Sequence, residues 1–140
     1  MNWQVLALLS AFFAALTSIF AKIGIKDIDS NLATAIRTVV ILLFAWGIVL
    51  AQGSLKTIGA LSRTTWIFLI LSGVMTGLSW LFYFRALQVG EASKVAPIDK
   101  LSLVLTIVLA FIFLKEKVSL QVLIGGLLMT AGSILIAIAK

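Results

Sequence analysis

The chain has 140 residues, of which 62% are hydrophobic and 11% are charged, and its mean hydropathy is +1.22. A water-soluble fold of this size would expose too much apolar surface, so the composition predicts an integral membrane protein. The chain contains neither cysteine nor histidine, which excludes disulfides, thiolate and haem sites and most zinc sites.

The net charge of +6 does not indicate nucleic-acid binding. The basic residues form no patch and lie singly at the ends of apolar runs, where their side chains reach lipid headgroups. We therefore expect the lipid bilayer, and no nucleic acid, as a partner. Without histidine, any proton-linked step must use a carboxylate or a lysine. We expect no metal and no cofactor other than a coupling proton.

Five segments are long and apolar enough to cross a bilayer, which takes roughly 20 residues of helix. The predicted helices cover about 3–25, 32–51, 65–87, 94–114 and 120–139. The first lacks a preceding basic region, so we interpret it as a span and not as a signal peptide. Short connectors make neighbouring helices antiparallel. The sequence thus predicts an all-α membrane protein with a single transmembrane domain over residues 1–140.

An odd number of spans places the N- and C-termini on opposite sides of the membrane. Basic residues in short loops normally decide which side is cytoplasmic. Four lie on the side of the N-terminus and five on the other side: Lys56, Arg63, Lys115 and Lys117 against Lys22, Lys26, Arg85, Lys94 and Lys140. Either the charge rule is weak here, or the chain has dual topology and pairs as an antiparallel homodimer. That dimer would have the symmetry of a transporter built from inverted repeats.

The first two predicted helices each carry a polar feature. In the first helix, Ser10, Ala14, Thr17 and Ala21 form a small, mildly polar face, on which Thr17 is a candidate substrate contact. In the second helix, Arg37 lies about one and a half turns from the start, where an unpaired charge is costly. Its natural partner is Asp99. Such a pair either belongs to a substrate site or serves assembly alone.

The third predicted helix carries a polar and aromatic face, because its residues are spaced by whole helical turns. The face consists of Ser72, Thr76, Ser79, Trp80 and Tyr83. Ser79, Trp80 and Tyr83 are candidate substrate contacts. In the alternative interpretation, the hydroxyl groups bond back to their own helix and the rings pack at a helix contact.

The fourth predicted helix contains Pro97, Asp99 and Lys100 within an apolar run. Proline removes a backbone donor, so Pro97 predicts a helix break, and broken helices beside a binding site recur in transporters. Asp99 and Lys100 point about 100° apart on a regular helix and need not pair. With Asp99 bound to Arg37, Lys100 would be left to meet an anionic group.

Small residues predict close helix approach in two further places. Gly73 and Gly77 form a GxxxG pattern in the third helix. Gly125, Gly126 and Gly132 lie in the last helix, which is a candidate dimer contact.

The second half of the chain carries a family pattern. Tyr83-Phe84-Arg85-Ala86-Leu87 precedes Gly90 and Ser93-Lys94-Val95-Ala96-Pro97, and Leu114-Lys115-Glu116-Lys117 precedes Gly126-Leu127-Leu128 and Ala131-Gly132. The arrangement resembles one EamA repeat of the drug/metabolite transporter superfamily, in which Arg37 also falls at a position that often carries arginine. Most members resemble two such repeats fused in inverted orientation. The resemblance therefore implies an EamA-like bundle, a homodimer, and export or exchange of small metabolites.

These features together predict a secondary transporter that moves a small metabolite by alternating access as an antiparallel homodimer. Arg37 and Lys100 would attract a carboxylate or phosphate, Trp80 and Tyr83 would form an aromatic wall, and Asp99 would pair with Arg37 or carry a proton. One alternative is a cationic drug or quaternary ammonium exporter, although the chain lacks the first-helix glutamate of the small multidrug resistance proteins. Another is a non-transporting half-subunit of a membrane complex. We expect no enzyme, and a location in the plasma or inner membrane of a prokaryote.

Overall fold

The structure is a computed structural model and describes residues 2–139. The described residues are helical with short connections and contain no strand. The helices are α1 Trp3–Gly24, α2 Ser30–Ala51, a short 3₁₀ helix Ser54–Ala60, α3 Arg63–Val89, α4 Ala92–Asp99, α5 Leu101–Leu109 and α6 Leu120–Ile138. A single π-helical turn, Ala110–Leu114, extends α5.

The five predicted spans are confirmed. Five helical stretches are long and apolar enough to cross a membrane, with α4, α5 and the π-turn forming one stretch, Ala92–Leu114. Each begins and ends within two residues of its predicted bounds. The 3₁₀ helix is an unpredicted element. It follows Gly53, whose φ of 66° lies in the left-handed region that glycine adopts without strain.

The chain forms two compact units, which we describe separately. One consists of the residues up to Ile19 together with those from Val89 onward, and the other consists of Phe20–Gln88.

The unit Phe20–Gln88 is organised around the end of α3. Leu87 is completely buried, and Ile25 and Phe84 are 2% exposed. The side-chain amide of Gln88 donates to the carbonyl oxygens of Ile28, at 2.7 Å, and Ile25, at 3.3 Å. These hydrogen bonds fix the connector between α1 and α2 to the end of α3.

The first residues of α2 are capped by Asp29. The Asp29 Oδ1 atom accepts hydrogen bonds from the backbone N–H groups of Asn31, at 2.9 Å, and Leu32, at 3.0 Å. A capping aspartate stabilises a helix by satisfying N–H groups that have no partner within the helix.

In the other unit, α6 packs on α4 and α5 through a face made of small residues. Gly126 is buried, and a Cβ atom added to it would lie 3.5 Å from the Cδ1 atom of Ile107. Ser133, also buried, donates a hydrogen bond of 3.0 Å to the Pro97 carbonyl oxygen. Gly125 and Gly132 have open space where a Cβ atom would be. Of the glycines proposed for a dimer contact, Gly126 is thus the one at which an added Cβ atom would contact a neighbouring helix.

Little of the apolar surface is buried within the chain. At most 11% of the most apolar stretch of any span is buried. The exposed side chains therefore have lipid or another protein chain as their surroundings.

Candidate substrate and coupling sites

The unit Phe20–Gln88 brings Arg37 of α2 onto two aromatic rings of α3. The guanidinium carbon of Arg37 lies 4.4 Å from the centre of the Trp80 ring and 4.9 Å from that of Phe84. A cation is attracted to the negative face of an aromatic ring, most strongly when water is excluded. Trp80 and Phe84 are four residues apart and thus lie on one face of α3.

The remaining candidates on α3 have different surroundings. Tyr83 is half-buried, and its ring lies edge-on to Phe84 with centres 6.2 Å apart. Ser79 is exposed. The Thr76 hydroxyl donates to the carbonyl oxygen of Ser72, at 2.9 Å. This hydrogen bond within α3 agrees with the alternative interpretation, in which hydroxyl groups of this face bond to their own helix.

Arg37 and Asp99 lie in different units of the chain, so their predicted pairing stays a prediction. Among the described residues, two ion pairs lie within the unit that contains Asp99: Lys94 with Glu91, and Lys100 Nζ with Asp99 Oδ2 at 3.3 Å. Lys100 thus has Asp99 as an ion-pair partner. Lys100 lies at the break between α4 and α5, where its ψ of −7° departs from the helical value.

The break itself lies three residues after Pro97, where Lys100 separates α4 from α5. The Pro97 carbonyl accepts hydrogen bonds from the Lys100 N–H group, at 3.2 Å, and from the Ser133 hydroxyl. A side chain of α6 thus holds the last turn of α4 at the point where the regular helix ends.

A groove of about 620 Å³ lies between α1 and this break. Its α1 wall carries only alanine and serine, and the opposite wall carries Lys100, whose side chain is 50% exposed. The lining residues are Ala7, Ser10, Ala11, Ala14, Ala15 and Ser18, with Ala96, Pro97, Lys100 and Leu103. Thr17, the predicted α1 contact, is half-buried but is not among them.

Sequence reasoning missed three residues of these sites. Phe84 was identifiable from its four-residue spacing to Trp80, and Ser18 from its position on the alanine and serine face of α1. Ser133 gave no signal, because only the packing of α6 on α4 brings it to Pro97.

Five helical stretches that are long and apolar enough to cross a membrane indicate a multi-pass membrane protein. The chain belongs to the EamA-like transporter family, which matches residues 1–138. The EamA resemblance is thereby confirmed, and the protein is a membrane transporter of a single repeat.

Two relatives have nearly the same length. An uncharacterised transporter encoded in the cobO 3′ region of Sinorhizobium sp. is 50% identical, over 98% of this chain and 97% of its own length. An uncharacterised protein of Methanocaldococcus jannaschii is 30% identical, over 97% of this chain and 96% of its own length. No solved structure matches the chain.

Proposed function

We propose that the protein is a secondary transporter that exports or exchanges a small metabolite bearing a carboxylate or phosphate group. Arg37 is the observation that carries this proposal. Its guanidinium lies on two rings and has no ion-pair partner within the unit Phe20–Gln88. Charged side chains inside spans are costly and usually mark substrate or ion pathways. An anionic group on the substrate would supply the missing counter-charge.

Lys100 and Asp99 are proposed to link binding to a proton. The Lys100 ammonium group has three N–H donors, and its contact with Asp99 leaves donors for a substrate in the groove. Protonation of Asp99 would remove the carboxylate that competes with an anionic substrate. Substrate binding at Lys100 would then depend on the proton, which makes Asp99 the coupling group.

An antiparallel homodimer is the proposed working form. The balanced loop charges favour insertion in both orientations, and the small buried share of each span leaves surface for a second copy. Both relatives also have single-repeat length. Alternating access would then take place around a substrate between two inverted subunits.

The alternatives receive less support. A cationic drug would find Trp80 occupied by a guanidinium and Asp99 occupied by an ammonium group. The family is one of transporters, which argues against an enzyme and against a subunit that does not transport. A bacterial relative supports a location in the inner or plasma membrane of a prokaryote.

Matched ligands test the charge of the substrate. The purified protein is heated with carboxylates and phosphate monoesters, each paired with a quaternary ammonium compound of similar size, such as phenylacetate with benzyltrimethylammonium. A bound ligand at ten times its Kd stabilises a protein by about 1.4 kcal/mol. We expect stabilisation by an anionic compound, and its loss in Arg37→Gln but not in Arg63→Gln. Stabilisation by the cations alone would contradict the proposal.

A further inference from the structure

A second cleft lies in the unit Phe20–Gln88, where the start of α2 faces the C-terminal half of α3. Its volume is about 470 Å³. Its polar wall is formed by Asp29, Asn31 and Arg85, and its apolar wall by Leu78, Leu81 and Phe82. None of these residues belongs to the substrate and coupling sites proposed above.

Opposite charges are available in this cleft. The described hydrogen bonds of the Asp29 side chain use only Oδ1, which leaves Oδ2 as an acceptor. Arg85 is exposed, and its Nη1 atom donates to Gln88 Oε1 at 2.7 Å. A guanidinium has five N–H donors in a planar fork, so this bond leaves Arg85 able to bind an anion. The cleft thus offers one carboxylate and one guanidinium to the same occupant.

The polar and apolar walls lie at different depths along the spans. Ser30 is the first residue of α2, and Arg85 lies one turn before the end of α3 at Val89. Leu78 lies about 10 Å farther along α3 than Arg85, at 1.5 Å per residue. The headgroup zone occupies roughly 6 Å on each side of the hydrocarbon core. The charged wall therefore lies at headgroup depth and the apolar wall lies at acyl-chain depth.

We propose that this cleft binds a zwitterionic glycerophospholipid whose headgroup carries a primary ammonium, as in phosphatidylethanolamine. Arg85 binds the phosphate through paired N–H groups. Asp29 Oδ2 accepts a hydrogen bond from the ammonium group, and an acyl chain lies along Leu78, Leu81 and Phe82. One cleft thus binds the phosphate, the ammonium group and an acyl chain of the same lipid.

The bound lipid also stabilises the connector between α1 and α2. Arg85 is linked through Gln88 to the carbonyl oxygens of Ile25 and Ile28. A phosphate that holds Arg85 in place also holds this chain of hydrogen bonds. Lipid binding therefore has two measurable consequences: a lipid molecule bound to the protein, and a higher unfolding temperature of the protein.

The full-length protein is titrated in detergent with dioleoyl phosphatidylethanolamine, phosphatidylcholine or phosphatidylglycerol, and bound lipid is counted by native mass spectrometry. The quaternary ammonium of phosphatidylcholine has no N–H group for Asp29, and phosphatidylglycerol has no cation. We expect the ethanolamine lipid to bind about tenfold more tightly than either, since a charge-assisted hydrogen bond contributes roughly 1.4 kcal/mol. The unfolding temperature should follow the same order.

Three variants separate the roles of the two charges. Arg85→Gln removes the phosphate contact and should weaken the binding of the ethanolamine lipid by about tenfold. Asp29→Asn keeps a good helix cap but removes the carboxylate, so it should abolish the preference over phosphatidylcholine. Arg63→Gln is the matched control, because Arg63 begins α3 at its opposite end, and it should bind lipid as the wild type does.

Two results would overturn the proposal. Equal binding of the ethanolamine and choline lipids by the wild type would show that Asp29 does not bind the ammonium group. Equally strong competition by soluble glycerophosphoethanolamine would show that the acyl chain contributes nothing, and that the occupant is a small polar molecule. Both tests use only the wild-type protein, so they do not depend on the folding of a variant.

Discussion

Arg37 shows how a single charged side chain is accommodated in a span without a carboxylate. The faces of Trp80 and Phe84 replace part of the lost hydration. No ion pair within the unit Phe20–Gln88 compensates the positive charge. The same arrangement thus holds the side chain in place and leaves its charge for an anion.

A double-mutant cycle measures this contact. Trp80→Leu, Arg37→Gln and the double variant are compared with the wild type by reversible thermal unfolding in one detergent. We expect a coupling energy of about 1 kcal/mol between Arg37 and Trp80, within the range of cation–π contacts. A coupling energy near zero would show that the ring does not stabilise the guanidinium.

Part of this residue-level picture was predictable from sequence. Arg37, Trp80 and Tyr83 stood out because polar and aromatic groups inside spans are rare and costly. The contact of Asp99 with Lys100 was not predicted, because charge matching pointed to Arg37 while Lys100 is the next residue in the chain. Which cation a carboxylate contacts depends on side-chain conformations that sequence does not reveal.

At the level of helices, the break at Lys100 is the feature most closely tied to transport. Pro97 removes one backbone donor, and α4 and α5 meet at Lys100. We expect Pro97→Ala to join the two helices and to raise the unfolding free energy by up to about 3 kcal/mol. Transport should slow, because a continuous helix hinders movement at the site.

Two measurements check this prediction together. Thermal unfolding gives the stability, and counterflow in proteoliposomes gives the transport rate of the anionic compound that stabilises the wild type most. An unchanged transport rate in a stabilised Pro97→Ala protein would remove the break from the mechanism.

Ser133 is expected to hold α6 against the same break. Ser133→Ala removes the hydrogen bond to the Pro97 carbonyl and should lower the unfolding free energy by about 0.6 kcal/mol, as for other hydrogen bonds between membrane helices. Thr106→Val is the control, since Thr106 is exposed and donates only within its own helix, to Ser102. Equal effects of the two variants in thermal unfolding would contradict this role.

The helices themselves were largely predictable, because the length of a span is set by bilayer thickness and its ends by polar residues. The 3₁₀ helix Ser54–Ala60 was not, since its seven residues contain two hydroxyls, a lysine and a glycine and resemble an ordinary connector. The capping residue of α2 could not be chosen from the sequence, because Asp29, Ser30 and Asn31 are all good capping residues.

For the whole molecule, the central claim is that one chain is half of a transporter. The small buried share of every span, the single-repeat length shared by both relatives and the nearly equal loop charges all support this claim. Pairing with an inverted copy requires that the chain insert in both orientations. The sequence suggests insertion in both orientations only through the nearly equal numbers of basic loop residues on the two sides. The orientation itself is decided when the chain is inserted into the membrane.

Single-cysteine labelling tests that claim most directly, because the chain contains no cysteine of its own. Asp27→Cys and Ser54→Cys lie in successive connectors, and thus on opposite sides of the membrane. Each is labelled in intact cells with a membrane-impermeant maleimide. Dual topology predicts that about half of each variant is labelled. Complete labelling of one variant and none of the other would establish a single orientation and contradict the antiparallel homodimer.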